Sequence, residues 1–73
     1  MIHLFIFTQH AIEKMDALGV DRMTVERTIR TGMKWKESQE EKWHAQMAGI
    51  EAVFQRQEKD MVLITVYEAG RKK

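Results

Sequence analysis

Cysteine and proline are both missing from these 73 residues, and glycine occurs only four times. Without cysteine there is no disulfide framework, no thiolate metal site and no cysteine nucleophile, which fits a reducing cytoplasm. No glycine-rich phosphate loop and no Gly-x-Ser-x-Gly nucleophile elbow is present. Charge of one sign is not in excess either. Twelve basic residues against 11 acidic ones give a net charge of +1, unlike a strongly basic nucleic-acid-binding domain. The opening run MIHLFIF is too short and too poorly flanked to be a signal sequence or a membrane span. The expectation is therefore a soluble cytoplasmic protein without a membrane segment. It forms a single domain over residues 1–73, with a core over about 2–68 and a loose basic tail at 70–73.

What is present is organised around residues 7–19, FTQHAIEKMDALG. Thr8 has the short oxygen-bearing side chain that an N-cap needs, and Phe7 before it can staple to Ile12. The helix is expected over Gln9–Leu18, with Gly19 supplying the left-handed residue that ends it. Ala11, Ile12, Met15 and Leu18 form one apolar stripe at helical spacing. His10 and Lys14, four residues apart, fall together beside that stripe. Near a helix N-terminus, free N–H groups and the macrodipole favour an anion, so a phosphate close to both side chains is physically reasonable. The plainer reading is a histidine that bonds a neighbouring carbonyl.

The rest of the chain repeats the same logic. Ile2–Phe7 suits a first strand, with His3 at its edge. Asp21 caps a second helix that ends at Gly32; Val25, Ile29 and Met23 supply its buried seam, and Arg22, Glu26 and Arg30 make i,i+4 pairs along one edge. From Met33 the period becomes two. Met33, Trp35 and Glu37 alternate with Lys34, Lys36 and Ser38 as in a half-buried strand, and 38–41 reads as a polar turn. Trp43, Ala45 and Met47 then face one way while Lys42, His44 and Gln46 face the other. Ala48–Gly49 is a hairpin turn or a bulge before Ile50–Gln55. Gln57–Asp60 connects to MVLITVY, Met61–Tyr67, an apolar run without alternation that suits an inner strand. The fold class is α+β: two N-terminal helices packed on a mostly antiparallel sheet, in the order β-α-α-β-β-β-β. Both tryptophans are expected in the core.

FTQHAIEKM followed by LGVD, a short second helix, a tryptophan-bearing strand and a final ITVY resemble the small prokaryotic domain-of-unknown-function family 4258 over roughly residues 5–68. That family is similar in layout to BrnT-like and RelE-like toxins. The resemblance implies a toxin-like domain of a toxin–antitoxin-like system, with metal-independent endoribonuclease chemistry, RNA as substrate and a cognate antitoxin protein as partner. The family's helical histidine falls on His10, its basic residue one turn later on Lys14, where arginine is more usual, and its last-strand motif on Thr65, Val66 and Tyr67. An ammonium at position 14 is a point charge and lacks the bidentate fork of a guanidinium.

Metal-free RNA cleavage needs a base for the 2′-hydroxyl, an acid for the leaving 5′-oxygen and cations on the phosphorane. On residue type, His10 or His44 is the base or acid, Lys14 and Arg56 steady the phosphate, and Tyr67 positions it or donates a proton. No cofactor is implied. His3, His10 and His44 lie on separate elements without a short ligand spacing, so no zinc site is expected. The geometric expectation is that His10 and Lys14 open onto a shared, water-reached hollow bordered by the last strand. The alternative function is a non-catalytic protein-interaction or RNA-binding module, with a homodimer as one form, because so small a domain can use a partner surface to complete burial.

Overall fold

Two helix caps set the first half of the chain. In the computed structural model, which describes residues 4–37 and 41–69, α1 spans Gln9–Leu18 and α2 spans Arg22–Thr31. The Ala11 N–H donates to Thr8 Oγ1 at 3.1 Å, and Gly19 closes α1 at φ +72°. The Thr24 N–H donates to Asp21 Oδ1 at 2.9 Å. Hydrogen bonds from Thr24 hold the Asp21 carboxyl below its usual range. Gly32 follows α2 for a different reason. Its φ is −76°, but a Cβ there would meet the Thr28 and Gln46 carbonyl oxygens at 2.5 and 2.6 Å, so only glycine lets the helix end approach the sheet this closely.

The strands are β1 (Phe5–Phe7), β2 (Met33–Lys36), β3 (Lys42–Met47), β4 (Ile50–Gln57) and β5 (Asp60–Glu68). They form one sheet in the order β1-β5-β4-β3-β2, an α+β fold with the expected sequence of elements. β1 runs parallel to β5, and every other pair is antiparallel. The open choice at Ala48–Gly49 resolves as a two-residue hairpin turn. Met47 pairs with Ile50, and both turn residues have positive φ, 55° and 82°, matching the right-handed twist of the flanking strands.

β5 is an inner strand, as its composition suggests, and its missing alternation has a second cause. Val53 pairs with Thr65 but Phe54 pairs with Leu63, so Ile64 is an extra residue in a bulge. The bulge brings Leu63 and Val66, three apart, onto the same buried face. There they join Ala11 and Met15 of α1, Val25 and Ile29 of α2, and Ala45, Ala52 and Phe54 of the sheet. Fully burying a side chain the size of Phe54 or Leu63 contributes about 1.5–3 kcal/mol.

Several expectations change in three dimensions. Ile12 is 40% exposed and leaves the apolar stripe to Ala11, Met15 and the half-buried Leu18. Met23 is 70% exposed and takes no part in the seam of α2, where the buried Thr28 stands with Val25 and Ile29. Thr28 pays no polar penalty, because its hydroxyl donates to the Thr24 carbonyl at 2.8 Å. The Arg22 and Arg30 guanidinium groups lie over the Phe7 and Phe5 rings. All four β2 residues are exposed rather than half-buried, because the strand forms the sheet's margin. Trp43 packs on the core and stacks with Phe54, whereas Trp35 sits on the other face. The expected strand start at Ile2 and His3, the first three residues of the expected 38–41 turn and the tail at 70–73 lie outside the described residues. Among the described residues no helix is long and apolar enough to cross a membrane.

Candidate functional site

β1 pairs with β5 only as far as Leu63, and α1 takes over the margin of β5 from there. Thr8 makes the junction. Its N–H and its hydroxyl both donate to the Leu63 carbonyl, the hydroxyl at 2.8 Å, while its oxygen caps α1. Two turns of helix then run beside the second half of β5. His10 Nε2 lies 3.1 Å from Thr65 Oγ1, and the Lys14 ammonium sits 5.8 Å from the centre of the Tyr67 ring, within cation–π range. His10 and Tyr67 are exposed, Tyr67 at 47%. The seam is thus reached by water, with a titratable imidazole, a cation and a phenol side by side.

His44 lies on the same side of the sheet in a very different setting. Register places Trp35, His44, Val53 and Thr65 in one cross-strand row, and Gln46, Glu51 and Tyr67 in the next, on the face away from Ala45, Ala52 and Phe54. His44 Nδ1 is 2.7 Å from Glu51 Oε2 and Nε2 is 3.0 Å from Glu37 Oε2, while its ring stacks on Trp35 at 5.1 Å with the planes 2° apart. Its side chain is 13% exposed. Burial pulls its pKa down, but the hydrogen bonds and charges of Glu37 and Glu51 outweigh that and hold it above its ordinary value. With a carboxylate 2.7 Å from one nitrogen and 3.0 Å from the other, neither nitrogen of the ring is turned toward a substrate. The ring ties β2, β3 and β4 together.

The five residues singled out from sequence therefore divide. His10, Lys14 and Tyr67 come together along α1 and β5. His44 shares their face but is held between two carboxylates. Arg56 belongs to the other face, with its guanidinium 6.0 Å from the Trp43 ring. Sequence reasoning missed Glu37 and Glu51 as partners of His44, although a turn centred on Ala48–Gly49 already dictates that Gln46 opposes Glu51 and so sets Glu51 diagonal to His44. Thr65 entered only as part of a strand motif, and nothing local marked it as the partner of His10. A surface hollow of about 240 Å³ lies on α2, lined by Met23, Glu26, Arg27, Arg30 and Thr31, and includes none of the seam residues. Among the described residues no three metal-ligating side chains are arranged to hold an ion.

A family model described as a domain of unknown function, DUF4258, matches residues 7–68, which runs from the N-terminal staple position of α1 to the end of β5. The chain belongs to the DUF4258 family. No curated protein matches it. The two DUF4258 boundaries enclose both helices, β2 to β5 and every residue of the α1–β5 seam.

Proposed function

We propose that this DUF4258 domain is a toxin-like, metal-independent endoribonuclease whose reacting groups are His10, Lys14 and Tyr67. The supporting observation is the seam itself: a water-reached imidazole held by Thr65, one helical turn from an ammonium that lies over a phenol. In the tautomer that donates Nε2–H to Thr65, Nδ1 keeps its lone pair and takes the proton from a ribose 2′-hydroxyl. The 2′-oxygen then bonds to phosphorus, the bond from phosphorus to the 5′-oxygen breaks, and the Tyr67 hydroxyl supplies the proton that the leaving oxygen needs. Lys14 offsets the charge that builds on the non-bridging oxygens. The products carry a 2′,3′-cyclic phosphate and a free 5′-hydroxyl.

His44 and Arg56 take no part in this scheme, since one is held between carboxylates and the other lies across the sheet. Incubating RNA with the purified protein in excess chelator tests the proposal. Fragments ending in cyclic phosphate, lost in His10→Ala with the fold retained, support it; RNA that is bound but left intact supports a binding module instead.

A further inference from the structure

β2 ends the sheet, and its outer side carries no strand among the described residues. Antiparallel pairing alternates, so one bond fixes which backbone groups face outward. The Glu37 N–H donates to the Lys42 carbonyl at 2.9 Å, which makes Glu37, Trp35 and Met33 the residues bonded to β3. The backbone N–H and C=O of Lys34 and Lys36 therefore point away from the sheet. Strand margins are usually blunted by lysine or by brevity, but this one also exposes two large apolar side chains, Met33 and Trp35, on one face. Lys34 and Lys36 occupy the opposite face. The Lys34 ammonium rests at the C-terminus of α2, 3.2 Å from the Arg30 carbonyl, and Lys36 makes an exposed pair with Glu41 at 3.6 Å that a competing carboxylate can replace at little cost.

We propose that this margin takes up an extended acidic segment of another protein, added antiparallel as a further strand. Its backbone would bond to Lys34 and Lys36, two acidic side chains would stand opposite those lysines, and an apolar residue between them would lie beside Trp35. Charge decides against a second copy of this chain. Antiparallel self-pairing that keeps the faces matched sets Lys34 against Lys34 or against Lys36 of the other copy, and like charges directly opposite are destabilising. The surface is separate from the α1–β5 seam and does not depend on the ribonuclease reading.

The test is an NMR titration of the labelled protein with a short synthetic peptide of alternating glutamate and valine, and with the matching lysine–valine peptide. The glutamate peptide should shift the amides of residues 33–36 and protect those of Lys34 and Lys36 from exchange. The lysine peptide should shift neither. The double variant Lys34→Glu, Lys36→Glu, both at exposed positions, should weaken binding about tenfold or more and favour the lysine peptide. No shift with the glutamate peptide, equal response to both peptides, shifts centred on α1 and β5, or contacts between the β2 strands of two copies would each overturn the proposal.

Discussion

His10 stands to Thr65 as Lys14 stands to Tyr67. The match is metric: four residues of helix advance about 6 Å and two residues of strand about 6.7 Å, so α1 and β5 stay in step where β1 has ended. Thr65→Val keeps the shape of the side chain and removes the hydroxyl. It should cost about 1 kcal/mol in urea unfolding and, if His10 is the base proposed above, lower RNA cleavage without abolishing it, because the imidazole loses its anchor but is still present.

The His44 clamp makes stability pH-dependent. Its folded pKa is raised, so its contribution is complete below the unfolded value of about 6.5 and is lost as pH rises through the folded value. Unfolding free energy should therefore be higher at about pH 6 than at about pH 9, and Glu51→Gln should flatten that difference. His44→Ala should cost about 1–2 kcal/mol at pH 6, chiefly because Glu51, 20% exposed, loses its partner, while Glu37, 41% exposed, is taken up by water. A profile unchanged by Glu51→Gln would show that the clamp does not titrate.

Two glycines that end helices should respond differently to alanine. At Gly19 a methyl group meets nothing within 4 Å and only the left-handed backbone is strained, for about 1–2 kcal/mol. At Gly32 it would meet two backbone carbonyls, with a cost of about 3 kcal/mol or more. Thermal unfolding of both variants should rank Gly32→Ala as the less stable.

The hairpin turn offers a stabilising change. Ala48 holds φ +55°, which an alanine adopts at a cost and an asparagine tolerates. Ala48→Asn creates the Asn-Gly pair favoured in such turns and should add about 1 kcal/mol, read as a higher denaturation midpoint.

Much of this architecture was legible because its signals are local. Thr8, Gly19 and Asp21 act within one turn of their own position, and the period-two pattern of 42–47 needs no knowledge of its neighbours. Gly32 was placed correctly but for an incomplete reason, since its contact with Gln46 comes from a strand 14 residues away. Trp35 alternates like a core residue, and only the strand order and register show that it stands at a margin, on the face away from Ala45 and Phe54. Along the seam, the sequence brought His10 and Lys14 together because both lie on one helix. Their partners Thr65 and Tyr67 depend on where β5 lies in the sheet, and Arg56 was separated from them by the alternation of β4, which has meaning only once the core face is known.

The most direct measurement is chain cleavage of RNA by wild-type protein and His10→Ala in excess chelator, with folding of both followed by circular dichroism. Catalysis centred on His10 predicts cyclic-phosphate fragments from the wild type and a rate at least about a hundredfold lower from an equally folded His10→Ala. Intact RNA from both proteins, or equal cleavage by the two, would contradict it.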